Sequence, residues 1–180
     1  MEKKKKYMNL DALVVDMELK DNKFKRIFHN FQILYFVLIF IYAGIFLFNP
    51  SSEITIYDRV AGGFYVVAFG LFAFYFRKYY KKYKEVNYSD SVKKVLEDAE
   101  KRYRIFKADT LVVLIGVLCI DAATVFTKMY DKSFIESVLK VQIMIWPFII
   151  IGVIIGYLWW RRDSRPIWLS AKKLLKELEE

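Results

Sequence analysis

The feature that most constrains this chain is the sorting of its charges. Four apolar runs, Phe31 to Phe48, Val60 to Phe76, Thr110 to Phe126 and Val141 to Trp160, hold a single charged residue between them, Asp121. Nearly every other charge lies in the blocks that separate them. A soluble chain spreads its charges so that each element has a wet face. Runs of 17 to 20 residues with at most one charge span about 25–30 Å as helices, close to the hydrocarbon thickness of a bilayer. The expected fold is all-α: a polytopic membrane protein with four transmembrane helices in two hairpins, plus amphipathic cytoplasmic helices. The segments read as 1–30 (N-terminal amphipathic helix), 31–76 (first hairpin), 77–109 (basic stalk and amphipathic helix), 110–160 (second hairpin) and 161–180 (C-terminal helix).

The basic residues thread the chain. Of 29 Lys and Arg, 25 lie in the two ends and the middle segment, and 4 in the two hairpin loops. The positive-inside rule then puts both termini and the middle segment in the cytoplasm, with short loops outside. A net charge of +9 is accounted for by this bias, so nucleic acid is not expected as a partner; the bilayer is. Arg77, Lys78, Lys81 and Lys82 after the second run, and Arg161 and Arg162 after the fourth, follow aromatic clusters and are expected to reach lipid headgroups.

Chemistry-bearing motifs are few. The one cysteine, Cys119, and one histidine, His29, cannot form an internal disulfide or a His/Cys metal site. His29, at the cytoplasmic end of the first run, is expected to be an interfacial residue. No GxSxG, HExxH or phosphate-cradling glycine loop occurs. The chain reads as a non-enzyme without a cofactor.

Three cytoplasmic stretches carry apolar stripes at helical spacing. After Asn9 as a possible N-cap come Leu10, Leu13, Val14 and Met17. This helix lies either on the membrane surface or against another cytoplasmic helix, and the acids on its polar face favour the second. The second hairpin helix is expected to run on as a stalk to a break at Asn87 to Asp90, where Ser89 or Asp90 caps the next helix. There Val92, Val95, Leu96, Ala99, Tyr103 and Phe106 form the stripe, with Lys101 and Arg102 on the opposite side and a Glu97–Lys101 i,i+4 pair. Pro166 at a first-turn position opens the last helix, with Trp168, Ala171, Leu175 and Leu178 on one face. Leu13, Val14, Met17, Val92, Leu96, Phe106, Trp168 and Leu175 are the candidate partner-binding residues.

Inside the runs, Asp121 is the candidate polar site, with Thr124 and Gln142 as possible companions, since intramembrane carboxylates are costly. It is either a proton or ion site or a structural hydrogen-bonding group. Gly62, Gly63, Gly70 and the Gly152/Gly156 GxxxG pair are candidates for close helix packing. Tyr35 and Tyr42 share a face and are expected between helices. Pro147 is expected to kink the last run, and Ser133 with Glu136 has capping-box spacing. The triplet Arg26-Ile27-Phe28 recurs as Arg104-Ile105-Phe106 and hints at two parallel repeats.

The stretch YSDSVKKVLEDAEKRYRIFKADTL leading to Ile120-Asp121, and the WWRRDSRP exit from the fourth run, resemble uncharacterised four-span bacterial inner-membrane proteins. Some of those are encoded beside extracytoplasmic-function sigma factors, and the resemblance implies a regulatory role. The zinc-binding His/Cys cluster of zinc-binding anti-sigma proteins is missing, which argues against a direct anti-sigma role. The expected function is a protein-interaction, scaffold or regulatory module, working with a protein partner or as a homo-oligomer. The alternative is a small oligomeric channel or transporter that uses Asp121.

Overall fold

The computed structural model describes residues 10–105, 109–131 and 133–180, all-α with no strand among them. Helix α1 runs Leu10–Tyr42 and ends in a π-helical turn, Ala43–Leu47. Then come α2 (Ile56–Lys84), α3 (Val92–Tyr103), α4 (Thr110–Phe126) and α5 (Phe134–Trp159). A second π-helical turn, Trp160–Ser164, leads into α6 (Arg165–Glu179). Three helical stretches, Leu10–Leu47, Ile56–Lys84 and Phe134–Leu178, are long and apolar enough to cross a membrane; α4 is apolar with 17 residues.

The N-terminal stripe and the first apolar run are one rod, because no Gly or Pro interrupts residues 10–42. The stalk likewise continues the second run without a break, since no Gly or Pro lies between Leu71 and Lys84, where α2 ends. The turn between α1 and α2 is tied by backbone carbonyls: Arg59 donates from Nη1 to Leu47 O and from Nη2 to Asn49 O, both at 3.0 Å. Thr55 and Asp58 close a capping box at the start of α2 that was not expected from the sequence.

Aromatic rings join α1 to α2. Tyr35 lies 5.1 Å from Phe72 and Tyr42 lies 4.9 Å from Phe69, ring centre to ring centre, so both tyrosines are interhelical. α4 also packs on α2, with Phe64 stacked on Phe126 at 5.4 Å. α5 stands apart and buries no residue.

Several local expectations are corrected. Of the candidate packing glycines, only Gly62 lies in a close approach: a Cβ there would collide with Phe46. Gly63, Gly70, Gly152 and Gly156 meet no neighbour within this chain, whereas Gly116, not expected, would put a Cβ 2.5 Å from the Phe72 ring. Composition shows where small residues are, not which of them turn toward a neighbour. Ser133 makes no side-chain cap; Glu136 pairs with Lys140 at 2.6 Å instead. α3 starts after Ser91 without a side-chain cap, and Asp90 pairs with Lys94 at 2.8 Å. Pro147 lies inside α5, at the place where the kink is expected. The two repeat triplets differ locally: Arg26 to Phe28 is helical, while Arg104 is extended. Asn9 and Phe106 lie outside the described residues.

A buried carboxylate at the junction of three helices

The three apolar stripes meet in one core. Leu13 and Met17 from α1, Val95, Leu96, Ala99 and Tyr103 from α3, and Ile167 and Ala171 from α6 are all buried. Val14, Trp168 and Leu175 pack half-buried against them, while Val92 is 44% exposed. The first helix therefore lies against other helices, the second of its two expected settings. The candidate partner residues Leu13, Met17 and Leu96 already contact their own chain. Apolar faces at helical period on three separate helices lower the free energy by covering one another.

Asp21 stands in this core, with 3% of its surface exposed. It is four residues beyond Met17 and eight beyond Leu13, so it shares their face of α1. Arg102 Nη2 lies 3.0 Å from Asp21 Oδ2, and both side chains are buried. Tyr88 donates its hydroxyl to Oδ2 at 2.6 Å and Tyr103 donates to Oδ1 at 2.5 Å. A buried charge is tolerated when it is paired and hydrogen-bonded, and here one carboxylate has a cation and two hydroxyl donors. Burial pushes the Asp21 carboxyl above its usual range, while the Arg102 charge and the tyrosine hydrogen bonds pull it back. Burial, and then the carboxylate's charge, hold the Tyr103 hydroxyl well above its usual range; burial and its hydrogen bond to Asp21 do the same for Tyr88.

Sequence reasoning missed this site and put Arg102 on the wet side of α3. The signal was present: Arg102 follows Val95 by seven and Ala99 by three, which places it on the buried face. Tryptophans tie the unit to the end of the last long helix. Trp160 Nε1 donates to Tyr103 O at 2.8 Å, and Trp168 Nε1 donates to Glu100 Oε1 at 3.1 Å. Lys20 Nζ donates to Asp163 O at 2.6 Å. Of the headgroup candidates, Lys78 pairs with Asp109 at 2.7 Å and Arg162 with Asp163 at 3.0 Å. Arg77, Lys81, Lys82 and Arg161 are exposed.

The polar candidates within the apolar runs are not brought together. Thr124 Oγ1 donates to the backbone oxygen of Asp121 at 2.7 Å, not to its carboxylate. Gln142 Oε1 accepts from Trp146 Nε1 at 2.6 Å on its own helix. Asp121 Oδ1 is buried without a hydrogen-bond partner among the described residues. His29 stacks on Tyr80 at 4.9 Å. No group of three or more His, Cys, Asp or Glu able to hold a metal occurs among the described residues.

The chain matches no family model, and neither a curated protein nor a solved structure matches it.

Proposed function

We propose that this chain is a multi-pass protein of a bacterial inner membrane. It crosses four times with both termini in the cytoplasm, and acts without catalysis as an interaction, scaffold or regulatory module. The charge asymmetry and the four apolar runs support the threading; α4, at about 26 Å of helical rise, is near the lower limit for a span. The bilayer supplies the solvent for the apolar helices. One observation carries the functional reading: the core that joins α1, α3 and α6 around Asp21 and Arg102. These three segments lie far apart in sequence, with apolar runs between them. Membrane insertion alone asks for no folded unit there, and still less for a buried ion pair. The unit shows the cytoplasm a flank of α3 and α6 that includes Glu97, Lys101, Leu169 and Lys172.

The test is recovery of tagged protein from its native membrane in mild detergent, with mass spectrometry and particle mass. A soluble protein in fixed ratio is the expected result. A homo-oligomer with no companion would count against the module and favour the second reading, a small channel or transporter. That reading is supported by the unpartnered Oδ1 of Asp121. If it holds, Asp121→Asn abolishes function in a stably inserted protein.

A further inference from the structure

We propose that the start of α1, Leu10 to Asp21, is a displaceable cover on a docking seam between α3 and α6. The natural ligand of that seam is an amphipathic helix of a partner protein. It carries Leu or Met at positions i and i+4 and a carboxylate at i+8. The proposal rests on the interaction-module reading and adds the chemistry of the partner and the means of control.

The recognition pattern is displayed by the cover itself. Leu13, Met17 and Asp21 follow one another at four-residue steps, which turn about 40° each and keep all three on one face. Leu13 and Met17 fill the apolar part of the seam beside Leu96 and Ile167. Asp21 fills the polar part, where Arg102, Tyr88 and Tyr103 converge on its carboxylate. A seam with a buried cation and two aimed hydroxyls rejects a helix that brings only apolar groups, since those donors would then lack an acceptor.

Two features make the cover removable. α3 and α6 approach each other closely along their backbones, while α1 comes near them at only a few positions and is held mainly through side chains. The anchoring ion pair is buried, so the cost of desolvation offsets much of its attraction. Such a pair fixes where the arm sits more than how tightly it is held.

The cover is also coupled to the membrane. α1 continues from the arm into the first apolar run. Phe24 and Phe28 pack on Tyr83 and Tyr79 of α2, so the free lever runs from Phe24 to Leu13, about 17 Å, and a tilt change of about 10° of α1 carries Leu13 about 3 Å. Tilts of transmembrane helices vary over a wider range than this. A change in bilayer thickness or in the packing of the first run would therefore lift the arm and expose the seam to a partner helix.

The test uses the full-length protein in lipid nanodiscs and a fluorescein-labelled synthetic peptide with the sequence of residues 10–25. Fluorescence anisotropy reads its binding. Leu13→Asp in the full chain disables the resident arm without touching α3 or α6. The peptide should bind that variant at least tenfold more tightly than the wild type. A peptide with Asn in place of Asp21 should bind the variant at least tenfold more weakly than the native peptide. Equal binding to wild type and variant, or equal binding of the two peptides, overturns the proposal. Should Leu13→Asp unfold α3 by hydrogen exchange, Asp21→Ala is read in the same assay against the same two outcomes. A doubled particle mass for the wild type, lost on Leu13→Asp, would show arms exchanged between two copies and overturn the intramolecular cover. Peptide binding does not depend on a natural partner being found. If a partner is recovered from membranes while the peptide fails, the seam is wrong and the module stands; the reverse result keeps the seam and removes the module.

Discussion

Replacing Arg102 by Met should open the α1/α3/α6 unit locally, and the size of the effect follows from its surroundings. Arg102 and Asp21 are 3.0 Å apart with about 4% of each side chain exposed, so the change leaves a carboxylate in a dry site. Removing one partner of a buried pair costs roughly 3–5 kcal/mol. The Tyr88 and Tyr103 hydroxyls still donate to Asp21, which favours the lower end. About 3 kcal/mol is about a 150-fold rise in local opening. Hydrogen-exchange mass spectrometry on the protein in nanodiscs reads this directly in the amides of α3, Val92–Tyr103. The penalty is pH-dependent. Burial already raises the Asp21 carboxyl, and losing the guanidinium raises it further. A carboxyl whose folded pKa exceeds its unfolded one contributes stability below the unfolded value and loses it as pH rises through the folded one. The variant should therefore recover protection on acidification. Replacing both residues, Asp21→Leu with Arg102→Met, should restore protection, because a packed apolar pair leaves no charge unpaired. Less than a tenfold change in the single variant, or a double variant no better than the single, would refute the reasoning.

Tyr103 is 2% exposed and its hydroxyl is held above the ordinary value of 10. Above that pH the unfolded phenol ionises and the buried one does not, so the unit should lose about 1.4 kcal/mol per pH unit. Tyr103→Phe should lower this slope by up to that amount in denaturation series between pH 10 and 11, the Tyr88 and Tyr83 hydroxyls, also raised by burial, still contributing, and an unchanged slope would count against the assignment. Gly62→Ala drives a methyl group into Phe46 Cβ, which is fixed to its backbone, so relief requires parting α1 from α2. A loss of about 1–3 kcal/mol is expected for such overpacking, read as a fall in melting temperature in detergent. Gly116→Ala meets the movable Phe72 ring and should cost less, and Gly152→Ala, in open space, should be neutral. If Gly152→Ala proves the most damaging of the three, this ordering fails. Arg59→Ala removes two charged hydrogen bonds to the carbonyls of Leu47 and Asn49. Protease should then cleave the loop at Ser51 to Ile54 faster; unchanged cleavage would show that the capping box alone holds the turn.

Much of the architecture was legible because it is local. Charge-free runs long enough to cross a bilayer, the α4 limits at Thr110 and Phe126, the continuation of α2 as a stalk and the first-turn Pro166 all follow from neighbouring residues. The three stripes were legible for the same reason, as helical period is visible along a single strand of sequence. Their convergence followed from the need of each apolar face for a cover.

Tertiary structure alone decided which polar groups the convergence trapped. Asp21 meets Tyr88 67 residues on and Tyr103 82 residues on. Nothing near Asp21 in sequence announces those donors. A carboxylate at the edge of an apolar stripe reads as part of the wet face until the opposing helix arrives with a guanidinium. The glycines show the same limit: Gly62 and Gly116 touch neighbours while Gly152 and Gly156 do not. Close approach depends on how two helices are rotated against each other, which no single helix encodes. Periodicity in this sequence determined the helices and their apolar faces. The long-range pairing of α1, α3 and α6 decided where charge is buried and which side chains hold it.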